Sequence, residues 1–159
     1  MDSNILKVHI ENAVFWLTEV ACNTDDTPVG AKGRAMPIRH WKGAIRGEYH
    51  AATGEWDSFC PVWHTGQAVK ALVLAAEALE KPELLEAGRY CAEFLLNNQF
   101  DSGENDGLIA AYEDYPEYTN TSAILECLDG LFLLSEATGD LVYRNTAVRA
   151  LYWVKNHMW

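Results

Sequence analysis

Residues 68–79 are apolar on almost every side. In Ala68-Val69-Lys70-Ala71-Leu72-Val73-Leu74-Ala75-Ala76-Glu77-Ala78-Leu79 only Lys70 and Glu77 carry charge, so a helix here must be covered on most of its surface. Lys81-Pro82-Glu83 ends that helix and begins another. Pro82 suits a first turn, where no amide N–H is needed, and Glu83 and Glu86 suit the positive end of a helix dipole. This second helix is amphipathic: Leu84, Ala87, Cys91, Phe94 and Leu95 form its stripe, while Glu86, Arg89 and Glu93 look outward. The same pair then returns. Thr121 opens a second nearly all-apolar helix through Leu134, Glu136-Ala137-Thr138-Gly139-Asp140 stops it, and Leu141 to His157 is again amphipathic, with Tyr143, Ala147, Ala150, Leu151 and Val154 on one face. Thr65 and Thr121 stand 56 residues apart, Glu77 and Glu136 59. A buried helix paired with a half-buried one and repeated at that interval predicts an all-α, double-layered array of helical hairpins.

The remaining stretches are placed by this frame. Leu6, Ile10, Ala13, Leu17 and Val20 recur at helical spacing and predict a leading helix over about 4–22 with one core face. Residues 23–62 form one long segment within a single domain spanning 1–159. Asn23 to Pro28 and Gly30-Ala31-Lys32-Gly33 read as turns, and Ala51-Ala52-Thr53-Gly54 as the turn of a short β-hairpin joining Arg46–Tyr49 to Glu55–Phe59. A structureless loop of this length inside a compact domain is usually functional or disordered, and its aromatic content argues against disorder. Residues 100–118, with Tyr112-Glu113-Asp114-Tyr115-Pro116-Glu117-Tyr118, lead into the second buried helix in the same way. Both linkers therefore deliver aromatic and acidic residues to one end of the array, and Trp63 and Asn120 are expected on the same side of the molecule.

Trp63-His64-Thr65-Gly66-Gln67-Ala68 followed by Glu77-Ala78-Leu79, then Leu84-Leu85-Glu86-Ala87, and later Glu136-Ala137-Thr138-Gly139-Asp140 with Tyr143, resemble the hairpins of α/α-toroid carbohydrate-active proteins. That group includes the six-hairpin glycosidases, such as the unsaturated glucuronyl hydrolases, and the sugar 2-epimerases. The resemblance covers about the last two-thirds of the chain and implies part of, or something similar to, an (α/α)6 toroid. A closed toroid in those families takes about a dozen helices, and five are readable here. The array is therefore expected to leave one side of the Ile124–Leu134 helix as an apolar patch, covered in a homo-oligomer or by the remainder of a longer chain.

Composition narrows the function classes. A formal net charge of −11 argues against nucleic-acid binding and against docking on anionic lipid. No apolar run reaches membrane-spanning length and the first residues lack the basic start of a secretory signal, so a cytoplasmic protein is the expectation. Cys22, Cys60, Cys91 and Cys127 are scattered and read as buried thiols rather than zinc ligands. Asp101 to Gly107 is similar to a calcium loop but has Tyr112 where the closing carboxylate is needed, and reads as a turn. The sequence asks for no cofactor and no metal.

Sugars bind on aromatic faces with carboxylates and amides reading their hydroxyls. Trp41, Trp56, Trp63, Tyr112 and Tyr115 are the candidate faces, and Gln67 and Asn120 the candidate edges. Asp57, Glu113 and Asp114 are the candidate acids, since glycoside hydrolysis commonly takes two carboxyl groups; each alternatively serves as a loop charge or a helix cap. Glu126 interrupts an apolar helix and is expected to be buried with a partner. His64, at the start of the first buried helix, is placed to move protons, and in the sugar epimerases which the chain resembles paired histidines are thought to do so, with His40 or His50 as the second member here. Arg46, with Arg39 and Lys42, offers donors for a uronic acid carboxylate. The leading expectation is a glycoside hydrolase with a carbohydrate substrate; the alternatives are a sugar epimerase or isomerase using His64, and a non-catalytic helical interaction module.

Overall fold

The buried helix at Trp63 owes its place to what it lacks. In the computed structural model, which describes residues 3–113 and 117–158, helix α3 (Pro61–Leu79) lies against helix α5 (Thr121–Thr138). A side chain at Gly66 would run into the Cys127 backbone, and one at Gly130 into the Gly66 carbonyl. Two glycines thus allow near backbone contact. Trp63 bonds to Glu126, Gln67 to the Glu126 carbonyl and Lys70 to Asp129. Residue numbers rise together along both helices, so α3 and α5 run parallel.

Helix α4 (Leu84–Asn97) turns back along α3, and α6 (Leu141–His157) along α5, giving two hairpins in two layers. Each helix has a physical start and stop. The Asn120 side chain accepts the Ala123 N–H at 3.1 Å and the Asp140 side chain accepts that of Val142 at 3.0 Å, satisfying orphan donors of the first turns. Gly139, at φ 71°, ends α5 in the left-handed conformation that glycine adopts without steric cost. Arg89 ties the two outer helices together, reaching the Tyr143 hydroxyl at 3.3 Å and the Asp140 carboxylate at 3.6 Å. The core runs between the layers through Val69, Leu72, Phe94, Leu95, Ile124, Leu131 and Leu134. The mostly helical class read from the sequence holds.

Three expectations about packing need correction. The leading helix α1 (Ser3–Phe15) and the turn after it bury the expected face only in part: Ile10, Leu17 and Val20 are half-buried, whereas Leu6, at 49%, and Ala13 are exposed, as are Ile5, Val8 and Phe15 on other sides. Glu11 pairs with Lys81 beyond the end of α3, while Cys22 pairs with Ile45 near its start. Helix α1 therefore runs antiparallel to α3, and residues before Glu11 project past the helix that would cover them. The chain then continues as π-helix over Trp16–Ala21, which breaks the 3.6-residue period. On α6, Leu151 is exposed and Trp153 is buried in its place. Finally, no large apolar side chain of α5 is fully exposed: its open stripe carries Ser122, Glu126, Asp129 and Glu136, Leu125, Phe132 and Leu133 are half-buried, and the exposed large apolar side chains lie mainly on α1 and α6.

The long segment 23–62 contains more structure than its composition suggests. The short β-hairpin forms, with β1 (Gly47–His50) antiparallel to β2 (Glu55–Ser58) and Tyr49 opposite Trp56. Gly30–Ala35, read as a turn, is a short helix, α2. Residues 103–105 make a single 3-10 turn. Among the described residues no helix is long and apolar enough to cross a membrane.

The glycine contact gives a contrast to measure. Gly66→Ala forces α3 and α5 apart and should lower the unfolding free energy by about 2 kcal/mol or more. Gly88→Ala on α4, where the added methyl meets only the Leu134 side chain at 3.5 Å and Leu72 at 3.9 Å, should be neutral or stabilising by up to about 1 kcal/mol. Chemical denaturation of both variants checks this.

Candidate functional site

Because α3 and α5 are parallel, their N-termini open on the same end of the molecule. Trp63 and Asn120 accordingly share a side, as the two linkers require. At this end the Trp63 indole N–H donates to Glu126 Oε2 at 2.7 Å, and the Gln67 amide donates to the Glu126 carbonyl at 2.9 Å. Asn120 donates through its amide nitrogen to Glu113 Oε1 at 2.7 Å, while its oxygen caps α5. Glu113 and Glu126 are both exposed. Both also act on the same buried thiol: Cys60, at the N-terminus of α3, is pushed up to about 11 by burial first, with Glu113 and Glu126 adding to the rise. The end shared by the two helix starts thus carries two hydrogen-bonded sets, Trp63 and Gln67 with Glu126, and Asn120 with Glu113.

His64 stands beside it. Its Nδ1 lies 2.6 Å from the Phe59 carbonyl oxygen. A carbonyl only accepts, so Nδ1 carries the hydrogen in this contact. The imidazole is flanked by the Trp63 and Phe59 rings, with centroids at 5.0 Å and 5.8 Å. The expected second histidine does not arrive: His40 lies 4.0 Å from Asp26 and His50 3.7 Å from Glu48.

Several residues read as candidates from the sequence hold the scaffold instead. Asp57 caps α2: its carboxylate oxygens accept the backbone N–H groups of Ser58 at 2.7 Å, Lys32 at 3.0 Å, Ala31 at 3.2 Å and Gly33 at 3.4 Å. Trp41 is 2% exposed and packs on Phe94, so its face is closed to any ligand. The Arg46 guanidinium donates to the Asn23 side chain at 2.9 Å and to the Val20 carbonyl at 3.4 Å, and lies over the Trp56 ring. Trp56 itself packs between Trp16 and Tyr49, on the opposite face of the hairpin from Asp57. Asp114 and Tyr115 lie outside the described residues.

Tyr112 is half-buried, with its phenol pKa raised by burial. It lines a cleft of about 190 Å³ at the C-terminal end of α4, with Arg39, Asn97, Asp101 and Ser102. A smaller hollow of about 130 Å³ sits at Glu113, Tyr118, Thr119 and Asn120. The larger hollow, about 410 Å³, lies at the other end of the array among Val73, Ala76, Pro82, Leu85 and Ala137. Its walls are mostly alkyl, with Glu77 and Glu80 also lining it, and it lies away from the end where Trp63 and Asn120 stand. Among the described residues no cluster of metal-ligating side chains occurs. No protein-family model, curated protein or solved structure matches this chain.

Asn97 and Ser102 carry no signal in the sequence until the α4 end is placed beside Tyr112. Glu126 interrupts an apolar helix, yet it is not buried as that position implies. The spacing Ser122–Glu126–Asp129 follows the open stripe of α5, and Glu126 is exposed.

Two measurements test these assignments. Asp57→Ala should cost about 1–2 kcal/mol of stability, the usual scale for a lost cap, and thermal unfolding reads it. Cys60 stays neutral in the fold up to about 11, whereas the unfolded thiol ionises from 9.0. The unfolded state therefore releases its proton first, and stability intact below 9.0 falls as pH rises toward about 11. The fall across that window should be shallower in Cys60→Ser than in the parent protein.

Proposed function

We propose that this chain is carbohydrate-active and hydrolyses a glycosidic bond at the shared N-terminal end of α3 and α5. The observation that carries the reading is that Glu126, held by the Trp63 N–H, and Glu113, held by Asn120 at the cap of α5, stand at the same end of the inner helices. Two carboxyl groups are the working parts of most glycoside hydrolysis, one giving a proton to the leaving oxygen while the other attacks or activates water. The Trp63 N–H holds one oxygen of Glu126 and leaves the other for the reacting centre, so Glu126 takes the attacking or base role. Glu113, on the linker and steadied by Asn120, takes the proton-donor role. The Trp63 face receives the apolar side of a sugar ring, and Gln67 and Asn120 stand where its hydroxyls would be read. Arg39, in the adjoining Tyr112 cleft, supports an acidic sugar next to the cleaved bond, because guanidinium matches carboxylate in two parallel hydrogen bonds.

Release of reducing sugar from a panel of neutral and uronic-acid-containing oligosaccharides tests this. Glu126→Gln and Glu113→Gln should each lower turnover by about 10²–10⁴-fold, the usual contribution of a positioned acid or base. Asp57→Asn, at a structural cap, should retain activity at temperatures where the variant is folded. Full activity in both glutamine variants would overturn the assignment. Solvent deuterium entering an unhydrolysed sugar, and lost in His64→Ala, would favour epimerisation instead.

A further inference from the structure

All four cysteines are free and buried, and two of them touch. Cys22 Sγ lies 4.0 Å from Cys91 Sγ although 69 residues separate them in the chain. Cys22 closes the π-helical end of the leading helix and bridges to Ile45, while Cys91 sits in the middle of α4. Gly43 makes the approach possible. Any side chain there would strike the Tyr90 carbonyl and crowd Cys91, so glycine lets the loop lie directly on this turn of α4. Nothing stands between the sulfurs. The other polar neighbour of the Cys22 thiol is the Asn23 carbonyl, at 3.6 Å.

The contact is asymmetric. The pKa of Cys22 is lowered, chiefly by the hydrogen bond from Cys91 and further by Arg46, whereas that same contact and burial raise Cys91. Of the two, Cys22 is the more readily ionised, and it is also the more accessible, at 5% against 2%. Burial to this degree favours a small oxidant over a bulky disulfide reagent.

We propose that Cys22 and Cys91 are a reversible oxidation site, closed to an intramolecular disulfide by hydrogen peroxide. The Cys22 thiolate attacks a peroxide oxygen, the O–O bond breaks, and the departing hydroxide takes up the proton that Cys22 gave up, leaving as water and a Cys22 sulfenic acid. Cys91 sulfur then attacks Cys22 sulfur. The S–S bond forms, the S–O bond breaks, and hydroxide leaves with the Cys91 proton as a second water. Two electrons pass from the two sulfurs to the peroxide, and a dithiol reductant reverses the change. The bond would fasten the segment around Asn23, whose carbonyl accepts from Gly43 and the Tyr90 hydroxyl, covalently to α4.

The test is peroxide treatment of the folded chain, followed by quenching, unfolding, thiol alkylation and peptide mapping. Two of the four thiols should escape alkylation, a Cys22–Cys91 cross-linked peptide should appear, and dithiothreitol should restore all four. The thermal midpoint should rise by on the order of 10 °C, as expected for closing a long loop in a domain of this size. Cys22→Ser should abolish both the cross-link and the rise, while Cys60→Ser should keep them. Four alkylatable thiols after oxidation, a sulfinic acid on Cys22 without a cross-link, or a bridge involving Cys60 or Cys127 would each overturn the proposal. Should a serine variant fail to fold, the peptide map of the parent protein decides by itself.

Discussion

The arrangement at the shared end of α3 and α5 follows from the approach of two backbones at Gly66 and Gly130. Without a side chain at either position, α3 and α5 lie closer than ordinary side chains allow. That closeness brings Gln67 within reach of the Glu126 carbonyl and Lys70 within reach of Asp129, so one stripe of each helix becomes a joined surface. It also brings the two N-termini side by side. Parallel packing of the inner helices, with the return helices outside, makes that arrangement repeatable from hairpin to hairpin.

The segment 23–62 shows why polar richness is a poor guide to chemistry. A long connection must find partners for its own amides and carbonyls. Asp26 accepts the N–H groups of Trp41 and Lys42, Asn98 accepts those of Arg39 and His40, and Asp57 accepts four at once. The backbone contacts hold Asp26 below the usual carboxylate range. These side chains are the local substitute for a helix or sheet ladder, and the aromatic residues among them, Trp41 above all, anchor the segment to the core.

The four long helices α3 to α6 were legible because their apolar runs, caps and stop signals agree with one another. Pro82, Asn120, Gly139 and Asp140 mark boundaries by mechanisms that act within a few residues. Helix α2 was not legible. Its sequence Gly-Ala-Lys-Gly-Arg-Ala has weak helical propensity, and its capping carboxylate comes from Asp57, more than twenty residues away. The site was legible only in part for the same reason. Trp63, Gln67, Glu113 and Asn120 followed from the parallel helix starts, whereas the roles of Asp57, Trp41 and Arg46 depend on contacts between distant parts of the chain.

The distribution of exposed side chains runs opposite to what a buried inner layer implies. On the inner helices the open stripes present Gln67, Lys70, Ser122, Glu126 and Asp129, with Leu74 as the large apolar exception at 47% exposure. The outer and leading helices carry Ile5, Leu6, Val8, Phe15, Leu141 and Tyr152 on their exposed faces. A surface of amides, hydroxyls and charges with an indole at its rim is a poor partner for another apolar helix, because each polar group covered there would need a new hydrogen bond. The same surface suits a hydroxyl-rich ligand, whose own groups supply those bonds as water leaves. The polarity of the α5 flank thus accords with the carbohydrate-active reading proposed above: a hydroxyl-rich ligand could meet the hydrogen-bonding demands of the stripe beside Trp63, whereas a purely apolar helix face leaves them unmet.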